Sequence, residues 1–364
     1  MAEQKLAESP LEFTTIDKKS LAQEISESAP GAILVIGVAL AAYFIAPWLK
    51  QYPLFKTYLS LKDFILAILF GIMVKNTVGV PKIFEAGLRF STILTKTGIV
   101  IMGAKYSMAG LVKVGGPALL YIAIFLFGTA IIMMWVGKKL KMSPALAACL
   151  ASGLSVCGVS ATIAIAPAVG AKNKDMAYSI AVVLMFGLLA LLVFPIIGKT
   201  LNLSDAQYGA FAGVGIVNSA QVLAAGFAYS EEAGLIAGIY NIGRVLFLPF
   251  VVLMLAIMAA SREAASGGEI VKINKFKLIV DKFPLFVIGF LFIVCLNTMG
   301  MFTEPEIHQA KVFMNWAFLL GFASIGLTTR LADLKAAGWS GFLMGFIVAT
   351  VKAGLALAVV MLLM

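Results

Sequence analysis

Hydrophobic positions in this chain gather into long runs separated by short polar connections. A helix needs about 20 apolar residues to cross the hydrocarbon core of a bilayer. Eleven runs come near that length: residues 31–49, 61–79, 84–108, 115–137, 143–170, 175–198, 205–228, 233–261, 283–302, 312–333 and 338–364, numbered here as segments 1 to 11. They predict an all-α polytopic membrane protein of about 11 hydrophobic segments, 9 to 11 of them spanning.

Two of the runs are interrupted at their centres. Segment 5 reads Ser152-Gly153-Leu154-Ser155-Val156-Cys157-Gly158-Val159-Ser160-Ala161-Thr162, and segment 7 reads Gly213-Val214-Gly215-Ile216-Val217-Asn218-Ser219-Ala220-Gln221-Val222. Glycine weakens a helix and lets backbone approach a ligand. Freed backbone groups at membrane depth are tolerated only against protein or a water-filled cavity. Both segments are therefore candidates for discontinuous helices, either spanning with an unwound middle or re-entrant as hairpins.

The chain also repeats itself. Val74-Lys75-Asn76-Thr77-Val78-Gly79 in segment 2 matches Cys295-Leu296-Asn297-Thr298-Met299-Gly300 in segment 9. One helix later Gly98-Ile99-Val100-Ile101-Met102-Gly103 lines up with Gly321-Phe322-Ala323-Ser324-Ile325-Gly326, and Leu111 to Gly115 with Leu334 to Gly338. Segments 2-3-4 thus resemble segments 9-10-11. If every segment spans, the odd offset gives the copies opposite orientations, the inverted repeat common among secondary transporters, whose site lies at the repeat interface near the midplane. As hairpins entering from opposite faces, segments 5 and 7 fit that symmetry better than as parallel spans.

Composition sharpens the class. Of 364 residues, 61% are hydrophobic and 13% charged, about half the charged share of a soluble domain. The net charge of +10 suggests nucleic acid in a soluble protein, but here it reflects Lys and Arg in cytoplasmic connections. These favour the N-terminal side roughly two to one, which predicts a cytoplasmic N-terminus and an external C-terminus. Residues 1–30 are acidic and polar, lack signal-peptide features and read as a cytoplasmic arm. Residues 31–261 then form a first membrane half, 262–282 a basic cytoplasmic linker and 283–364 the second repeat copy. Cys149, Cys157 and Cys295 all lie in apolar runs, against a disulfide framework. No nucleotide P-loop, zinc-binding His-Glu-x-x-His or metal-ligand cluster occurs, and no aspartate sits at mid-membrane. An enzyme, an ATP-driven pump, a cofactor and a metal are therefore not expected.

Arg244 and Lys352 sit in the middle of apolar segments with no carboxylate beside them. A charge at that depth costs at least about 2.5–3.5 kcal/mol and usually marks a substrate path or an internal pair. An exchangeable anion is the simplest offset. Arg244 offers a permanently charged planar fork suited to carboxylate, sulfate or sulfonate oxygens, or is satisfied by backbone carbonyls at a helix break. Ser155, Cys157, Gly158, Ser160, Thr162, Asn218, Ser219 and Gln221 surround the two breaks, where half-helix N-termini favour anions. Serine and threonine there can instead bond back to their own helices. Lys352, Asn241, Asn76 and Asn297 are candidates for coupling or supporting roles. Lys352 fits a proton-linked switch or a carbonyl-bound structural lysine, and the two repeat-related asparagines fit capping or interhelical bonds. A coupled sodium would use backbone carbonyl, Ser, Thr, Asn or Gln oxygens.

Ser152–Pro167 with Ala177-Tyr178-Ser179-Ile180-Ala181 resembles the YeiH-type family (UPF0324), bacterial inner-membrane proteins described as sulfate exporters. Gly98–Gly103, Gln221 to Gly226, Arg244 with Pro249, and Gly326-Leu327-Thr328-Thr329-Arg330 are similar to that family too. The resemblance runs from about Gly31 to the C-terminus. It implies a place among the inverted-repeat carriers that include bile-acid symporters and cation/proton antiporters, and hence a rocking or elevator-like carrier with a mobile core, proton or sodium coupling and, by analogy, a homodimer joined through segment 1. The chain departs at Val217-Asn218, where relatives often carry His-Asp, so a titratable group is missing. The expected activity is secondary-active export or exchange of a small anion such as sulfate, a sulfonate or a small carboxylate. An anion channel and a non-transporting membrane scaffold or partner subunit are the alternatives.

Overall fold

The computed structural model describes residues 21–49, 51, 63–88, 90–265, 275–330 and 339–364. Those residues form sixteen α-helices joined by short turns and 3₁₀ segments, with no strand among them. In chain order the helices are α1 (Leu21–Leu49), α2 (Asp63–Thr77), α3 (Glu85–Leu88), α4 (Phe90–Met102), α5 (Met108–Lys139), α6 (Pro144–Ser155), α7 (Val159–Ile165) and α8 (Asn173–Thr200). They continue with α9 (Asp205–Gly215), α10 (Ser219–Tyr229), α11 (Glu231–Leu246), α12 (Leu248–Ala265), α13 (Lys275–Asp281), α14 (Leu285–Thr298), α15 (Glu304–Thr328) and α16 (Trp339–Leu363).

Among the described residues six helices are long and apolar enough to cross a membrane: Ser26–Leu49, Ala118–Lys139, Asn173–Thr200, Leu248–Ala265, Glu304–Thr328 and Phe342–Leu363. The pair α13 and α14, bent by 56°, makes a seventh if it counts as one span. The other hydrophobic segments hold shorter helices. With 11 residues each, α9 and α10 are about 16 Å long, half the roughly 30 Å hydrocarbon core. Ile33, Phe44 and Trp48 on α1 and Ile124 on α5 are exposed, as lipid-facing side chains must be.

Local chemistry sets the boundaries. Ser143 caps α6, accepting a hydrogen bond from the Leu146 N–H, and Pro144 supplies a pre-set first turn. Capping boxes open α9 (Ser204 with Gln207) and α15 (Thr303 with Glu306). Segment 8, read from sequence as one helix, breaks at Phe247 between α11 and α12, because Pro249 has no N–H for a continuous ladder. The arm expected over residues 1–30 begins outside the described residues, and residues 21–30 already belong to α1. The expected linker is likewise helical at both ends, with residues 266–274 outside the description.

Contacts fix which helix ends share a face. Asn297 Nδ2 donates to the Tyr106 carbonyl (3.0 Å), Thr298 Oγ1 accepts from the Met108 N–H (2.8 Å), and Lys105 and Lys311 both pair with Glu231 (3.3 and 2.5 Å). The ends of α4, α10 and α14 and the starts of α5, α11 and α15 therefore gather at one face. From there α5, 32 residues long or about 48 Å, carries the chain to the other. At that second face, rich in Lys and Arg and called here the basic face, Arg262 Nη2 donates to the Met142 carbonyl (3.2 Å) and Asn76 Nδ2 to the Thr329 carbonyl (3.0 Å). Between the faces α2 and α15 touch backbone to backbone at Gly71 and Gly326, where a β-carbon on either glycine would strike the other helix.

Candidate functional site at two hairpin tips

The two Gly-broken segments fold back on themselves. In the first, Ser152 Oγ donates to the Ala161 carbonyl (2.9 Å) and Thr162 Oγ1 reaches the Cys149 carbonyl (3.4 Å). Residues 13 apart along a continuous helix would lie about 20 Å from each other, so α7 returns alongside α6. Gly158 makes the turn at φ +76°, ψ −118°, a backbone conformation open to glycine and strained for other residues. In the second, Tyr208 and Tyr229 stack with ring centroids 3.9 Å apart, the Tyr208 hydroxyl donates to the Ala225 carbonyl (3.4 Å), and the Tyr229 hydroxyl to the Leu203 carbonyl (2.6 Å). Here the turn is extended backbone at Ile216 and Asn218, and the Asn218 side chain caps α10 by accepting from the Ala220 N–H (3.0 Å).

The hairpins enter from opposite faces. Met142, at the base of the first, is bonded to Arg262 at the basic face. The base of the second is tied at the other face, where Ser230 Oγ donates to Asp205 (2.6 Å) beside the Lys105–Glu231–Lys311 cluster. Their tips meet inside: a β-carbon on Gly158 would lie 3.1 Å from Asn218 Nδ2 and 3.2 Å from Asn218 Cα.

The two deep cations stand behind these tips. Arg244, 1% exposed, donates from Nη1 to the Ile216 carbonyl (2.5 Å) and from Nη2 to Asn241 Oδ1 (3.1 Å). Lys352, 4% exposed, donates to the Leu154 carbonyl (2.9 Å). Each thus meets the C-terminal end of a hairpin's first arm, where the helix dipole is negative and carbonyls lack helical partners. Four buried polar atoms beside the second tip have no protein partner: Arg244 Nε, Asn241 Nδ2, Gln221 Oε1 and Ser219 Oγ. A water or ligand that reached them would relieve the desolvation they suffer.

A cavity of about 700 Å³ lies against the tips, within the 300–1,000 Å³ usual for ligand sites. Of the residues singled out from sequence, it brings together Cys157, Ser160, Asn218 and Ser219. Gly158 shapes the tip between them without lining the space. Ser155 and Thr162 are turned back onto the Ala151 and Gly158 carbonyls, and Gln221 Nε2 onto that of Leu184. Neither Arg244, Asn241 nor Lys352 lines the cavity, and Asn76 and Asn297 sit at helix ends away from it. The space runs toward the basic face, past Asp281 and Lys282 at the bend before α14. Asp281 is the one carboxylate among the described lining residues.

The cavity also holds a residue the sequence argument passed over. Lys96, midway along α4, lines it with Thr92 and Thr95, its ammonium 5.7 Å from the centre of the Phe286 ring. It sits at the centre of segment 3, so the criterion that selects Arg244 and Lys352 selects it equally. Among the described residues, no group of three His, Cys, Asp or Glu side chains has metal-binding geometry.

A family model described as conserved hypothetical protein 698 matches residues 30–345. A UPF0324 membrane protein of Nitratidesulfovibrio vulgaris strain Hildenborough is 72% identical over 347 residues, covering 95% of this chain and 96% of the relative. A second from the same organism is 35% identical over 368 residues, covering 95% of this chain and 98% of its own. UPF0324 membrane protein Atu0671 of Agrobacterium fabrum strain C58 is 32% identical over 279 residues, 76% of this chain and 78% of the relative. No solved structure matches.

Proposed function

The chain belongs to the UPF0324 membrane-protein family of conserved hypothetical protein 698, and on that premise we propose that it is a secondary carrier which exports or exchanges a small anion by alternating access. The observation that carries this reading is the meeting of two hairpins from opposite faces at the end of a cavity. That cavity is lined by Lys96 and two serines, and its second lysine, Lys282, lies with its only described carboxylate, Asp281, in the bend toward the basic face. Gly158 brings no capping side chain to the first N–H groups of α7, which leaves donors toward the same space. A site of neutral donors with one cation, Lys96, away from the Asp281–Lys282 bend suits an anion that must bind and then leave, with sulfate, a sulfonate or a small carboxylate as the candidate class.

In this reading nine segments cross the membrane and segments 5 and 7 are the hairpins, so the N-terminus is cytoplasmic and the C-terminus external. An inverted repeat is supported by a matched pair of bonds. Asn76, at the end of α2, donates to the carbonyl after α15, and Asn297, at the end of α14, donates to the carbonyl after α4. The cavity then faces the cytoplasm, and the Glu231 cluster ties the external side. Arg244 and Lys352 act by holding the hairpin arms, the chain is not an enzyme, and proton or sodium coupling and a homodimer belong to the same proposal.

Counterflow in proteoliposomes tests the carrier. Vesicles loaded with unlabelled anion should accumulate labelled anion transiently and saturably. Flux that rises without saturation and gives single-channel currents would make the protein a channel, and absence of flux for every anion tried would refute transport.

A further inference from the structure

The lining of the cavity narrows what it can hold, given the anion-carrier reading on which this inference rests. Its donors are few. Lys96 lines the space with its ammonium over the Phe286 ring and, among the described residues, forms no salt bridge with a carboxylate. Thr328 already gives its proton to the Ile325 carbonyl (2.9 Å), and Asn218, whose oxygen accepts the α10 cap bond, has only its amide N–H groups to donate. Ser160, exposed to the cavity, and Ser219, whose buried hydroxyl has no protein partner, are the serine donors, with Thr92 and Thr95 beside Lys96. Most of the wall is apolar, formed by Ile180, Leu184, Val245, Leu248 and Ile325. Lys282 also lines the space, but at the bend next to Asp281, so a compact dianion near the tips would have the single counter-charge of Lys96 beside it for two charges, and its oxygens turned to the apolar wall would lose water with little in return. About 700 Å³ is also far more than a bare tetrahedral oxyanion fills.

We propose that Lys96 is the counter-charge for a singly charged organic anion whose apolar body lies against Leu184, Val245 and Leu248. The head group sits between the Lys96 ammonium and the hydroxyls of Ser160 and Ser219. A lysine suits this task, being a flexible point charge with three donors that releases a carboxylate more readily than a bidentate guanidinium does. Its position over Phe286 keeps the empty site from exposing a bare ammonium to hydrocarbon, because a ring face attracts a cation. Lys96 belongs to α4 and the serines to the two hairpins, so binding joins three elements that any alternation of access must move past one another.

Equilibrium binding of acetate, butyrate, hexanoate and sulfate to the full-length protein in lipid nanodiscs, at fixed ionic strength, tests this. Each added methylene should tighten binding about fourfold, the equivalent of about 0.8 kcal/mol, until the wall is covered. Sulfate should bind more weakly than butyrate. Lys96→Gln should weaken every carboxylate at least tenfold, Lys96→Arg should keep part of the affinity, and Leu184→Asn should weaken hexanoate more than butyrate and butyrate more than acetate, flattening the chain-length series. Gel filtration and thermal unfolding check each variant's fold, and if Lys96→Gln does not fold, Lys96→Met takes its place. Wild-type affinity retained in the glutamine or methionine variant would overturn the role of Lys96. A flat chain-length series, or sulfate binding tighter than butyrate, would overturn the organic-anion class with Lys96 intact. No binding of any probe to the wild type would overturn the anion-carrier reading itself, and this inference with it.

Discussion

Replacing Gly158 by alanine tests the contact on which the site is built, and Gly170→Ala serves as its control. Gly158 sits at φ +76°, and its added β-carbon would meet Val183 Cγ1 at 2.7 Å, Asn218 Nδ2 at 3.1 Å and Asn218 Cα at 3.2 Å. A methyl-bearing residue held in such a conformation costs about 1–3 kcal/mol. Overfilling a packed site costs a further ~1–3 kcal/mol, since the Val183 methyl can give way but the Asn218 backbone cannot. Gly170 also has a positive φ, +59°, but nothing lies within 4 Å of its added β-carbon, so its substitution carries only the left-handed strain of about 1–2 kcal/mol. With roughly 2.1 cal/mol/K of unfolding entropy per residue, each kcal/mol is worth about 1.3 °C in a chain of 364 residues. Gly158→Ala should therefore lower the thermal midpoint in detergent by about 3–8 °C and abolish counterflow. Gly170→Ala should lower the midpoint by about 1–3 °C and leave counterflow near wild type. Equal effects of the two substitutions on midpoint and transport would refute the reasoning, because strain would then matter and the meeting of the tips would not.

Arg244→Ala orphans the Ile216 carbonyl and the Asn241 amide oxygen, each about 1–3 kcal/mol when buried, with some relief from removing the partnerless Nε. Hydrogen exchange at residues 213–222 should rise as the midpoint falls, and loss of anion binding with both unchanged would make Arg244 a direct ligand instead. Asn76→Ala and Asn297→Ala each remove one long-range bond to a carbonyl, so each should destabilise by about 1 kcal/mol in equilibrium unfolding; a several-fold disparity would count against their symmetry. At the face opposite the basic one, burial alone would push the Glu231 carboxyl up, but hydrogen bonding and charge from Lys311 and then Lys105 outweigh it and hold it below the usual carboxylate range. That contribution is complete above the unfolded value of about 4.3 and is lost as pH falls through the lower folded value. Glu231→Gln should thus remove part of the acid dependence of the melting midpoint between pH 5 and 3, and an unchanged profile would show that the cluster carries none of it.

Much of the molecule is legible in the order of its residues. Apolar runs give the membrane class and most helix positions, since a bilayer leaves a chain few ways to satisfy its backbone. The glycines and small polar residues around positions 156–158 and 216–218 mark the two breaks, because helix propensity fails locally there. The asparagines in the matched Asn-Thr-x-Gly runs point to paired contacts, and the structure gives each a carbonyl on the helix that the repeat relates to the other's target. Lys96 was equally legible. It satisfies the rule that selects Arg244 and Lys352 and lies in a run otherwise read only for its repeat.

The sequence by itself determined an all-helical membrane chain, its family, two interrupted segments and a shortage of deep negative charge. Each of these follows from a property of one residue or one short run: transfer free energy, backbone freedom, formal charge. Tertiary structure alone decided that the interrupted segments turn back, that they do so from opposite faces, and that Arg244 and Lys352 serve carbonyls at the hairpin arms while Lys96 faces the cavity. Such questions turn on which donors meet which acceptors across 28 to 198 positions of chain. A buried cation needs some partner, and whether that partner is a ligand or a carbonyl depends on which helix end the fold brings within 3 Å.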